Sequence, residues 1–124
     1  MKFKISVFIM ILLIACVSVS AVSSIESEQI VDGLNSTSNL THALSDAGAQ
    51  NKTVMLLFDQ DNCYYCDLLK SDVLSNPDVQ KELNNSFIVV AVDVNKDSKL
   101  ASDYKVVGTP MTVFLDSNSH EVNR

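Results

Sequence analysis

Lys52-Thr53-Val54-Met55-Leu56-Leu57-Phe58-Asp59-Gln60-Asp61-Asn62-Cys63-Tyr64-Tyr65-Cys66-Asp67-Leu68-Leu69 is the stretch around which the rest of the chain is arranged. Val54 to Phe58 is an unbroken apolar run of buried-strand length. Asp59 to Asn62 interrupts it with four polar residues, the mark of a turn. Cys63 and Cys66 follow at the start of a helical pattern. Two intervening residues there let one thiol face solvent while the other lies beneath it, close enough to form a disulfide. Free amide groups at such a helix start stabilise a thiolate.

Downstream of the pair, Leu68, Leu69, Val73 and Leu74 continue an amphipathic helix, and Asn76-Pro77 is expected to kink or restart it before Val79 to Leu83. Phe87 to Val92 reads as a second buried strand, closed by Asp93 to Asn95. Lys99 to Tyr104 reads as a short helix, and Val106-Val107 leads into Gly108-Thr109-Pro110 and the strand Met111 to Leu115. Asp116 to Ser119 has hairpin-turn composition, with His120 to Arg124 as the start of an edge strand.

Upstream, Leu40, Ala43, Leu44 and Ala47 recur at helical spacing behind the capping candidates Ser38 and Asn39. This predicts a helix ending near Gly48, with His42 on its surface. Val22 to Ser38 is rich in Ser, Glu and Asn and lacks sustained periodicity. It is read as a linker over residues 22–38, with a short strand near Ile30 and Val31. Asn35, Asn39, Asn51 and Asn84 each begin a match to the N-glycosylation pattern, which Asn-rich sequence also produces by chance.

Residues 1–21 carry Lys2 and Lys4 ahead of an almost wholly apolar run, then the small residues Val19-Ser20-Ala21. That is the layout of a secretory signal, and it predicts an extracytoplasmic protein, secreted or anchored to the outer face of the cytoplasmic membrane. Two other outcomes stay open: retention of the segment as a membrane tether, and acylation of Cys16 in the lipobox-like Leu13-Ile14-Ala15-Cys16. The remaining length suits a single domain over residues 39–124. The chain's net charge of −6, with no cluster of Lys or Arg, argues against nucleic acid as a partner.

A CxxC pair can ligate zinc, form a structural disulfide or exchange disulfides. Tetrahedral zinc needs four ligands, and the sequence after residue 21 offers only Cys63, Cys66, His42 and His120, with no second paired motif. A cross-link closing so small a loop removes little entropy from the unfolded chain. Exchange chemistry is left, and it needs neither a metal nor an organic cofactor.

The order helix, apolar strand, CxxC, long helix, strand ending in Asp93, short helix, Gly-Thr-Pro and strand resembles the thioredoxin-like superfamily. The likeness is strongest to exported members such as the C-terminal domain of the membrane disulfide reductases. It implies an α/β three-layer sandwich with a central mixed sheet. The helix that normally ends this fold has no sequence to form it, so a fragment or shortened variant with apolar sheet surface exposed is expected. The likeness further implies that Gly108-Thr109-Pro110 is a cis-proline loop facing the cysteines. Cys63 would then be the attacking thiol, Cys66 the resolving thiol, and Thr109 and Pro110 the lining of a substrate groove.

Tyr64 and Tyr65, where thioredoxins proper have Gly-Pro, are read as apolar contacts for a bound peptide, with packing of Tyr65 on its own helix as the alternative. Asn62 stands where an aromatic residue is usual. The buried aspartate that assists proton transfer in thioredoxins falls on Leu57, leaving that role open, or to Asp59 or water. Asp59, Asp61 and Asp67 around the pair oppose thiolate formation, which favours a reductant over an oxidant. The function expected is thiol–disulfide exchange on protein disulfides or dithiols, fed by an electron-donor protein. A non-catalytic binding module on the same fold is the rival.

Overall fold

A computed structural model describes residues 29–124. The leader and the first part of the segment read as a linker lie outside the described residues. The elements run β1 (Ser36–Thr37), α1 (Leu40–Gln50), β2 (Thr53–Asp59), α2 (Tyr64–Leu68), a π-helical run (Leu69–Leu74), α3 (Pro77–Ser86), β3 (Phe87–Asp93), α4 (Ser98–Asp103), β4 (Met111–Leu115) and β5 (Glu121–Asn123). Among the described residues no helix is long and apolar enough to cross a membrane.

The strands form one mixed sheet in the order β1-β3-β2-β4-β5. β1, β3 and β2 are parallel, whereas β4 runs antiparallel to β2 and β5 antiparallel to β4. β2 is central, so it is covered on both faces, and Val54 to Phe58 are all buried. That is why its sequence is continuously apolar instead of alternating.

Alternation along β2 divides the core in two. Val54, Leu56 and Phe58 meet Val90, Val92, Val113 and Leu115 on one face, where Ala43 and Ala47 of α1 and Ala101 of α4 close the layer. Alanine at these helix positions lets the helix backbones approach the sheet closely. Met55, Leu57 and Val89 point to the other face, against Leu34 and Leu74. Each fully buried Leu or Phe contributes about 1.5–3 kcal/mol relative to exposure.

Local signals start the helices. The Asn39 side chain accepts the His42 amide at 3.0 Å ahead of α1. Asn76 accepts the Asp78 amide at 2.9 Å, with Pro77 at the first helical position of α3, where its missing N–H costs nothing. The restart expected at Asn76-Pro77 is therefore a capped helix start.

The structure departs from the sequence reading in two places. Residues 29–38 pack on the sheet, and the short strand is Ser36–Thr37, not Ile30–Val31. It adds to the edge of β3, while Leu34 is buried and Ile30 and Val31 pack beside it. Side chains of α3 hold this segment. Gln80 Nε2 donates to the carbonyls of Asp32 at 2.7 Å and Leu74 at 2.8 Å. Asn84 donates to the Gly33 carbonyl at 2.9 Å and accepts the Asn35 amide at 2.9 Å. Gly33 has φ +88°, and a Cβ there would stand 2.5 Å from Gln80 Oε1. A two-residue strand leaves no periodicity, so composition alone made the segment look like a linker.

The second departure is the π-helical run, where a continuous amphipathic helix was expected. The Ser75 amide reaches back five residues to the Lys70 carbonyl at 3.0 Å. Leu69 and Leu74 both join the second core cluster.

Candidate active site

β2 ends at Asp59, and Gln60 to Asn62 turn the chain towards α2, with Asn62 at φ +58°, a conformation Asn tolerates. Cys63 is the N-cap of α2, and its Sγ accepts the Cys66 amide at 3.2 Å. Cys63 and Cys66 are disulfide-bonded, with Cα atoms 5.2 Å apart. The local fold follows from sequence: a polar turn, a sulfur able to cap, and a helical run behind it.

The second half of the site comes from 46 residues further on. The Thr109 hydroxyl donates to Cys63 Sγ at 3.4 Å, and the Thr109 carbonyl oxygen lies 3.6 Å from the same sulfur. The Thr109–Pro110 peptide bond is cis. An N–H and an O–H thus converge on one sulfur, and such donors stabilise negative charge there.

Cys63 was expected to face solvent, yet it is only 8% exposed, because the Thr109 loop lies against it. Cys66 is 2% exposed. Cys63 is the more exposed of the two, but it lies in a recess. Tyr64 and Tyr65 are each 69% exposed, and their rings meet edge to face with centroids 5.4 Å apart. Tyr65 therefore contacts its neighbour, with most of its surface open.

Val107 was read only as a lead-in to the loop, but it is 96% exposed. With Gln60, Val94, Val106, Gly108 and Thr109 it lines a shallow depression, whose Thr109 also contacts Cys63 Sγ. Its one visible signal was an apolar residue next to a Gly-Thr-Pro turn.

The acidic residues around the pair are not equivalent. Asp59 forms an ion pair with Lys70 and accepts the Gln60 amide at 2.6 Å. Asp93 lies opposite Asp59 in the register of β2 and β3. The Asn95 backbone amide, at 2.8 Å, holds its carboxyl below the usual carboxylate range, and Lys96 at 3.5 Å adds to this. Asp61 and Asp67 are exposed. Leu57 is 2% exposed and shares its cluster with Leu74, so the position corresponding to the aspartate of thioredoxins is wholly apolar.

His42 is exposed on α1, and His120 pairs with Asp116 at 3.1 Å in the β4–β5 turn. Among the described residues no group of three or more His, Cys, Asp or Glu is placed to hold a metal ion.

Comparison with known proteins agrees with this architecture. Residues 40–124 match the model of a family described as a thioredoxin-like domain. The thiol:disulfide interchange protein DsbD of Haemophilus ducreyi is 32% identical over 77 residues, 59% of this chain but only 13% of that protein. The SPbeta prophage-derived thioredoxin-like protein YosR of Bacillus subtilis is 30% identical over 70 residues, covering 56% of this chain and 76% of the relative. The solution structure of a thioredoxin from Thermus thermophilus superposes with a TM-score of 0.61 at 37% identity, covering 68% of this chain and 69% of the other.

Proposed function

This chain belongs to the thioredoxin-like domain family, and from that premise we propose that it is an extracytoplasmic thiol–disulfide oxidoreductase that reduces protein disulfides with the Cys63–Cys66 pair. The observation that carries the reading is the setting of Cys63 Sγ. It belongs to the more exposed of the two cysteines and is the target of both the Cys66 amide and the Thr109 hydroxyl.

In the reduced protein the Cys63 thiolate attacks one sulfur of a substrate disulfide. A mixed disulfide forms and the other substrate sulfur leaves as thiolate. Cys66, three residues away, then attacks Cys63 Sγ. The second substrate thiolate leaves, and two electrons have passed to the substrate. The product is the Cys63–Cys66 disulfide, and a donor protein must reduce it back to the dithiol while its own dithiol becomes a disulfide. Thr109 and Pro110 form one wall of the substrate site, and Tyr64 and Tyr65 offer apolar surface on the other side. Uncompensated carboxylates at Asp61 and Asp67 make a thiolate pair less favourable, which supports the reducing direction. Export is supported by the basic and apolar pattern of residues 1–21.

Insulin reduction tests the reading. The wild-type chain should precipitate the insulin B chain in the presence of a dithiol donor, and Cys63→Ser should fall to background. Cys66→Ala should accumulate mixed disulfides through Cys63 on non-reducing gels, whereas Cys63→Ala traps none. Equal insulin reduction by wild type and Cys63→Ser would leave a binding module as the better account. The mass of the mature N-terminus separates cleavage after Ala21, lipid on Cys16 and a retained leader, and an intact Met1 in the cytoplasmic fraction would refute export.

A further inference from the structure

The surface around Cys63 has charge of one sign left over. Asp59 is matched by Lys70, and Asp93 by Lys96 at 3.5 Å. These two carboxylates near the end of β2 and β3 are thus compensated. Asp61, in the turn just before Cys63, and Asp67, one helical turn after it, are exposed and make no ion pair among the described residues. Between them stand the open rings of Tyr64 and Tyr65.

Carboxylates beside exposed aromatic faces form a combination that suits one kind of side chain. A Lys or Arg can lay its apolar stem or its cationic head on a Tyr ring and carry its charge toward a carboxylate two or three residues away in the chain. An acidic residue at the same place meets repulsion from both carboxylates. Such attraction between exposed groups is felt within a Debye length, about 10 Å at 0.1 M salt.

Resting on the exchange reading above, we propose that this rim selects among protein disulfides, favouring extended segments with Lys or Arg within a few residues of the disulfide-bonded cysteine. Asp61 and Asp67 supply the charge preference, and Tyr64 and Tyr65 supply the platform. The covalent step is unchanged: Cys63 attacks the substrate sulfur and the partner sulfur departs as thiolate. The rim acts before it, by raising the occupancy of the encounter between the cationic segment and the recess.

The test uses the pre-reduced full chain and three peptide disulfides of one length, with cysteine flanked by Leu and by Arg, Gln or Glu. Exchange is stopped by alkylation and read by mass. At low salt the Arg peptide should react on the order of tenfold faster than the Glu peptide, the lower end of electrostatic steering. The ratio should shrink towards one near 1 M salt, where the Debye length is about 3 Å. Asp61→Asn/Asp67→Asn should lower the ratio several-fold. Asp46→Asn/Glu82→Gln removes the same charge at the other end of the sheet, where Asp46 lies near Phe87 and Glu82 accepts a hydrogen bond from Ser86, and should leave the ratio standing.

Equal rates at low salt, a preference for the Glu peptide, or a ratio that survives the rim double variant overturns the selection. So does a ratio lost equally in the control pair, which would assign it to net charge. The Gln peptide separates the two levels. If it reacts without any Arg preference, only the selectivity fails. If none of the three peptides reacts, the exchange reading fails and the selectivity with it.

Discussion

The two faces of the sheet do different work. On one, α1 and α4 press Ala43, Ala47 and Ala101 onto Leu56, Phe58 and Leu115, and no group on that face takes part in the proposed chemistry. On the other, Leu74 and Leu69 reach Leu57 and Val89 from the helical run that also begins with Cys63 and Cys66. Packing on the first face is stability alone. Packing on the second is stability and aim together, because the same rigid segment buries its leucines and points its sulfurs.

A matched pair of substitutions breaks or sharpens that contrast. Leu115→Ala and Leu74→Ala each remove a buried leucine and should cost about 2–5 kcal/mol in urea unfolding. Only Leu74→Ala should also slow exchange per folded molecule, since it loosens the run carrying Cys66. Equal exchange rates in both variants, corrected for the folded fraction, would mean that the faces do not differ in function.

A smaller effect probes how the second face is closed. Gly33→Ala places a side chain at φ +88° and against Gln80, and should cost about 1–2 kcal/mol for the backbone conformation alone. Hydrogen exchange should quicken first at the Asn35 amide, which is tied to Asn84. If exchange there stays slow while the whole domain loosens evenly, residues 29–37 are not a separable cover.

Smaller again, Asn76→Ala removes the cap of α3 and should cost about 1 kcal/mol. The loss should be read in α3 and in the segment clamped by Gln80 and Asn84, with α1 unaffected.

The least effect is electrostatic. The Asp93 carboxyl is held low by the Asn95 amide, so its contribution is present above the ordinary carboxylate value and lost as pH falls through the lower folded value. Urea melts should show wild type more stable than Asp93→Asn at neutral pH. The gap should close below about pH 4. A gap that widens with acid would contradict the assignment.

Much of this architecture is written locally. A short continuous apolar run ended by a polar turn fits a strand covered on both faces, and Val54 to Phe58 is one. Asn39, Asn76 and Pro77 start helices by local hydrogen bonding and geometry, and those starts were legible residue by residue. The cysteine pair at a helix start was equally visible, but its reading as an exchange pair needed the rest of the sequence, since CxxC alone also fits zinc or a structural disulfide. Thr109 beside Cys63 was legible only through the resemblance, since nothing in either segment points across 46 residues.

Sequence by itself therefore determined the order of elements, the central strand, the cysteine pair and the acidic balance, all set by neighbours within a few residues. Tertiary structure alone decided the rest. It held residues 29–38 against the fold through a single buried leucine and two clamping side chains on α3, with only Ser36–Thr37 joining the sheet. It turned a helix into a π-helical run so that Leu69 and Leu74 both reach the core. It matched Asp59 with Lys70 while leaving Asp61 and Asp67 open. The physical reason is the same in each case: burial and charge pairing depend on which groups meet in space, and short segments with one or two contacts leave no repeating pattern in the chain.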